Sequence, residues 1–207
     1  MYIVISEAFA VLKNVIFDFG GVICEYNPDD ILARFFEEED RDFVKGIIYR
    51  NWAGLDAGTL DYDEYICETL NMIPERLKGT MLQFFRKWHR TLPHIEQTWA
   101  LIGRLKARGY NVYLLSNAPV EFANDLNLFP IMNLMDGVVV SGCIQMLKPH
   151  ADIFEYALRK FGIAREETLF VDDMEINVNG ARACGLYGYL YSGDADNLLK
   201  YIESLTE

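Results

Sequence analysis

The chain has 207 residues, 51% of them hydrophobic, with 31 acidic against 19 basic side chains and a formal net charge of −12. That length fits one core with a modest insertion, and half apolar is ample for packing. An acidic balance without any long Lys or Arg run excludes nucleic acid and anionic membrane as expected partners. Cys24, Cys67, Cys143 and Cys184 show no CxxC or zinc-like spacing. They read as reduced thiols, four small buried hydrophobes of a cytoplasmic protein.

In chain order, the first segment, MYIVISEAFAVL, is apolar but interrupted by Glu7, lacks a basic start and is too short to span a bilayer. Residues 1–12 are therefore expected as an N-terminal extension, not a signal peptide. Asn14 to Phe19 is a continuous apolar run, the pattern of a strand buried on both faces of a parallel sheet. It ends in Asp18, followed by Gly20 and Gly21. From Pro28 the texture turns helical: Ile31, Leu32, Phe35 and Phe36 share one face, Asp61 with Glu64 suits a reciprocal cap, and Pro74 suits a first helical turn. No strand is expected before Trp88. Residues 27–92 thus form an all-helical insertion, and 13–26 with 93–207 form the core.

Beyond Pro93 helix and strand alternate. IEQTWALIGRLKARG is an amphipathic helix stopped by Gly109, NVYLLS a strand, VEFANDLNL a helix and GVVVS a strand. A helix opened by Pro149 and closed by Gly162 follows, then the strand TLFVDD, the helix INVNGARACG, the strand YGYLY and a short terminal helix. This alternation predicts an α/β fold: a doubly wound parallel sheet with helices on both faces. Ligands of such sheets bind outside the carboxyl ends of the strands.

Those ends carry the chemistry. Asp18 ends the first strand, Ser116-Asn117 the second and Asp172-Asp173 the fourth, while Lys148 stands just after the third. Carboxylates, a hydroxyl and an ammonium gathered at one sheet edge suit Mg²⁺ and a phosphoryl group. A carboxylate can take up the phosphoryl group as an aspartyl-phosphate. Charge neutralisation comes from the metal and Lys148. Ser116 and backbone N–H groups of Phe19 to Val22 are expected to bind the remaining oxygens, the glycines allowing close approach.

The motifs VIFDFGGV, LLSN, LKP and FVDD, in this order, resemble the four motifs of the haloacid dehalogenase superfamily, and the helical block after the first is placed like that family's small cap. The resemblance runs from about Lys13 onward and implies a Rossmann-like core. It implies that Asp18 is the nucleophile, that Ser116, Asn117 and Lys148 bind phosphate, and that Asp18, the Gly20 carbonyl, Asp172 and Asp173 hold Mg²⁺. Most phosphatases of the superfamily carry Asp-x-Asp in the first motif, the second Asp being the general acid and base. Gly20 stands there in this chain. Such help is worth about 10² to 10⁴ in rate.

Three readings follow. The first is a Mg²⁺-dependent phosphatase of a small phosphate ester such as a sugar phosphate, similar to members that act on glucose 1-phosphate and share Gly at this place. The second is a metal-free dehalogenase proper, which usually has Tyr where this chain has Gly20. The third is a catalytically weak module that binds a phosphate ligand or a partner. Glu25 is the expected substitute acid, ahead of Tyr26. Arg50 and Trp52 read chiefly as a salt bridge and a core aromatic, and Phe35, Phe36, Phe84, Phe85 and Trp88 as core. Asn177 is expected to bond the loop holding the carboxylates.

Overall fold

The computed structural model describes residues 11–206, so the expected extension falls largely outside the described residues. Strand β1 (Asn14–Phe17) is fully buried, and an all-helical insertion follows it: α1 (Pro28–Ala33), α2 (Glu38–Ile48), α3 (Trp52–Asp56), α4 (Tyr62–Asn71) and α5 (Glu75–Lys87). Local chemistry explains the helix starts. The Asn27 side chain accepts the Asp29 N–H with Pro28 in the first turn, and the Asp61 carboxylate accepts the Glu64 N–H. Pro74 stands just before α5, not inside its first turn. Phe84 and Phe85 on α5 pack with Trp52 and Trp88 into an aromatic core for the insertion.

The chain returns to the core beside the point where it left. The Glu25 N–H donates to Pro93 O (2.8 Å) and the Ile95 N–H to Ile23 O (3.0 Å), with Cys24 bridged antiparallel to His94. The two connections therefore run as one short ribbon.

The rest alternates: α6 (Glu96–Ala107), β2 (Asn111–Ser116), α7 (Val120–Asn124), β3 (Gly137–Val140), α8 (Ala151–Phe161), β4 (Thr168–Asp172), α9 (Glu175–Ala183), β5 (Tyr187–Leu190) and α10 (Ala195–Ser204). The five strands are parallel in the order β3-β2-β1-β4-β5. This is the expected doubly wound sheet. Side chains alternate across it: Val15, Phe17, Leu114 and Val171 face α6 and α10, while Ile16, Leu115 and Phe170 face α8 and α9. Gly162 closes α8 in the left-handed conformation.

Two further expectations need correction. VEFANDLNL is not one helix: α7 stops at Asn124, and 3-10 turns at Leu126–Leu128 and Pro130–Leu134 follow. Asp125 is drawn out to His89 and Arg90, and Pro130 has no N–H to extend a helix. All four cysteines are free, but only Cys24 and Cys184 are buried; Cys67 and Cys143 are exposed.

Candidate active site

Parallel pairing of β2, β1 and β4 brings their carboxyl ends to one edge. Asp18 follows β1 and is tied to β4 by its N–H, which donates to Val171 O (2.9 Å). Ser116 and Asp172 are the last residues of β2 and β4. Lys148 reaches the same edge from the loop after β3. Its Nζ lies 2.7 Å from Asp18 Oδ1 and 2.7 Å from Asp172 Oδ2. Asn117 holds that lysine, its amide bonded on both arms to the Lys148 backbone N–H and C=O at 3.0 Å. Asn177 Nδ2 lies 3.1 Å from each Asp172 oxygen, and the Met174 N–H donates to Oδ1.

Carboxylate oxygens of Asp18, Asp172 and Asp173 lie within 4.8 Å of one another. Three hard oxygen donors this close fit a divalent cation such as Mg²⁺. Asp173 reaches this position because Gly21 lacks a side chain: a Cβ there would sit 2.2 Å from Asp173 Oδ2, and φ is +71°. The Gly21 N–H is bonded to Cys24 O, so of the Phe19 to Val22 amides this one is spent on the turn itself.

Burial raises the Asp18 carboxyl, with Lys148 pulling against it and Asp172 adding to it. Burial likewise raises Asp173. For Lys148 burial opposes the charge, yet the two flanking carboxylates prevail and hold its pKa above the ordinary value. One ammonium thus serves two acids.

Above this edge lies a cavity of about 250 Å³. The core lines it with Asp18, Gly20, Ser116, Asn117, Lys148, Asp173 and Asn177, and the insertion with Trp52, Asp56 and Trp88. Phe19, Tyr26, Leu92 and Phe122 make much of the remaining wall. Tyr26 packs over Gly20, where an added Cβ would come 3.2 Å from Tyr26 Cβ.

Asp56 is the residue that sequence reasoning missed. Its Oδ1 is buried and finds no hydrogen-bond partner among the described residues. Burial pushes the carboxyl up to about 8; the Trp52 indole lowers it, Asp18 raises it and Lys148 lowers it again. The Asp56 C=O accepts the Ser141 hydroxyl, and Ser141 Oγ also accepts the Ala118 N–H (2.9 Å). Gln145 donates to Gly58 O (3.0 Å), and a Cβ on Gly58 would meet Gly142 O at 2.1 Å. The turn carrying Asp56 is thereby docked directly on core backbone. The signal in the sequence was the acid in LDAG within a loop-rich part of the insertion.

Other expected residues lie elsewhere. Glu25 is exposed and outside the cavity lining, so it is not the substitute acid. Arg50 pairs with Glu68 and donates to Thr69 and Ile47 O, a structural role. Trp52 is both core and cavity wall.

A family model described as haloacid dehalogenase-like hydrolase matches residues 12–185. A sesquiterpene phosphatase of Aspergillus oryzae is 29% identical over 85% of this chain and 88% of its own length. A D-ribitol-5-phosphate phosphatase of Bacteroides thetaiotaomicron is 27% identical over 90% of this chain and 95% of its own. Among solved structures, a HAD family enzyme of Bacteroides thetaiotaomicron in complex with magnesium and inorganic phosphate aligns with a TM-score of 0.66 at 23% identity, covering 90% of this chain and 98% of that one.

Proposed function

The chain belongs to the haloacid dehalogenase-like hydrolases, and on that premise we propose that it is a Mg²⁺-dependent phosphatase of a small organic phosphate monoester. The observation that carries the reading is the pair of 2.7 Å contacts by which Lys148 joins Asp18 to Asp172 beside a third carboxylate. Within the family we place it among members with a small helical cap, residues 27–92 being the cap and 13–26 with 93–207 the core. Free thiols suit a cytoplasmic location. Among the described residues no helix is long and apolar enough to cross a membrane.

In the mechanism Asp18 attacks phosphorus, the bond to the ester oxygen breaks, and an aspartyl-phosphate forms. Water then attacks phosphorus, the bond to Asp18 breaks, and inorganic phosphate leaves. Ser116 donates its hydroxyl to a phosphoryl oxygen, Asn117 uses its backbone N–H because its side chain is committed, and Lys148 neutralises charge as it develops. Asp18, the Gly20 carbonyl, Asp172 and Asp173 would hold Mg²⁺, which when bound supplies further charge neutralisation at the phosphoryl group.

The substrate class proposed first is a sugar or polyol phosphate. Trp52 and Tyr26 offer aromatic faces, and a polyol phosphate is the substrate of one relative. The phosphate of an apolar alcohol is the second reading, favoured by the wall of Phe19, Trp88, Leu92 and Phe122 and by the sesquiterpene phosphatase. Phosphate release from sugar, isoprenoid and p-nitrophenyl phosphates, with Mg²⁺ and with chelator, tests both. Metal-dependent release that Asp18→Asn abolishes supports the phosphatase, and the best substrate ranks the classes. No release above the variant on any compound would sink it in favour of a phosphate-binding module.

A further inference from the structure

Lining the same cavity as Asp18 and Asp173 is a further carboxyl, Asp56, which comes from the inserted helices. We propose that Asp56 is the catalytic acid and base of the hydrolysis: it protonates the ester oxygen as that oxygen leaves, and then takes a proton from the water that cleaves the aspartyl-phosphate. The proposal rests on the phosphatase reading above.

Three observations carry it. First, in-line displacement places the leaving oxygen on the far side of phosphorus from Asp18, away from the core and toward the insertion. A proton donor for it must come from that side. Second, Asp56 Oδ1 is buried without a partner, an expensive state for a polar atom unless a substrate completes it. Third, the turn bearing Asp56 is fixed rather than loose: Ser141 joins its carbonyl to the Ala118 N–H, and the Gly58 backbone rests on Gly142. The place next to the nucleophile from which an acid could otherwise come is glycine, and Tyr26 crowds it, 3.2 Å from where a Cβ would stand.

The protonation state agrees. A carboxyl raised to about 8 by burial carries a proton at neutral pH. The titratable groups that face it are Asp18, Lys148, Tyr26 and Tyr49. The proton balance closes over one turnover. Asp56 gives its proton to the leaving alkoxide in the first step and regains one from water in the second, as the P–O bond to Asp18 breaks.

The test compares parent, Asp56→Asn and Asp18→Asn on an alkyl phosphate and on p-nitrophenyl phosphate with Mg²⁺, folding being checked by circular dichroism. Asp56→Asn is expected to lose about 10²- to 10⁴-fold in kcat/KM on the alkyl ester and far less on the aryl ester, whose leaving group needs little protonation. It should also show a burst of p-nitrophenol with a phosphoryl group trapped on Asp18, because the second step lacks its base. Equal losses on both esters without a burst, or no loss, would overturn the role of Asp56 and leave the phosphatase standing. A parent with no metal-dependent release above Asp18→Asn on either ester overturns both. Should Asp56→Asn not fold, Ser141→Ala loosens the Asp56 turn while keeping the carboxyl. It is expected to give the same alkyl-over-aryl bias in smaller measure, and an unbiased loss counts against the proposal.

Discussion

Lys148 Nζ and Asp172 Oδ2 are 2.7 Å apart with both side chains almost wholly out of water, and Asp18 shares the same ammonium. Neither carboxylate has another cation among the described residues. Removing one partner of a buried pair strands the other's charge, which typically costs about 3–5 kcal/mol. Lys148→Met should therefore lower stability by about that amount in chelator, abolish phosphate release, and regain more stability from Mg²⁺ than the parent does. Urea unfolding with and without Mg²⁺ checks this; an unchanged midpoint in chelator would refute it.

Gly21→Ala addresses the metal without touching a ligand. Its Cβ would overlap Asp173 Oδ2, so the carboxylate must swing aside. Displaced supporting geometry typically weakens a metal site by about 10- to 100-fold. The Mg²⁺ concentration for half-maximal phosphate release should rise by that factor, and the Mg²⁺-induced rise in Tm should shrink in step.

The pH dependence of stability reports on Asp56. Its folded-state pKa, about 8, lies above the ordinary carboxylate value, so the folded state prefers the neutral acid. Below about pH 4 the folded and unfolded states both keep the proton, and Asp56→Asn should change little. As pH rises from there toward 8 the unfolded chain ionises at this position first, and the parent carries a loss of stability that the variant lacks, on top of the loss through Asp18 and Asp173 that both share. The variant should thus exceed the parent by about 1–3 kcal/mol near neutrality in chelator, roughly 3–10 °C in Tm. Melting curves at stepped pH decide it, since a gap that is flat with pH would mean an ordinary Asp56.

Gly20→Asp should not be a silent change. Tyr26 lies 3.2 Å from the added Cβ and must give way, an overpacking cost of about 1–3 kcal/mol. Tyr26→Ala in the same chain should recover most of it. A double-mutant cycle on thermal stability measures that coupling, and strict additivity would rule out the contact.

The strand ends were legible because each motif residue is placed by its own strand, whose apolar run shows in a handful of neighbouring residues. Asp18, Ser116 and Asp172 need only the sheet order to meet. Asp56 needs more. Its burial depends on Ser141 and Gln145, more than eighty positions along the chain, docking the turn that carries it, and no local pattern encodes that contact. Glu25 failed for the converse reason: it is adjacent to the first motif in sequence, but its backbone N–H belongs to the ribbon with Pro93 and its side chain faces solvent. The break after Asn124 was likewise hidden, since Asp125 answers to His89 and Arg90 across the fold.

The paired connections at Ile23–Cys24 and His94–Ile95 have a mechanical meaning. Two strips of chain stitched side by side brace one another, so a tilt of the helical block would pivot at this ribbon, like a trapdoor on its pin. Its latch includes the bonds from Ser141 to Asp56 O and from Gln145 to Gly58 O, beside those of His89 and Arg90 to Asp125. Admitting a substrate by that route would undo the latch and carry Asp56 away from Asp18 in the same stroke. Such a door would separate its two acids whenever the chamber stands open to bulk water.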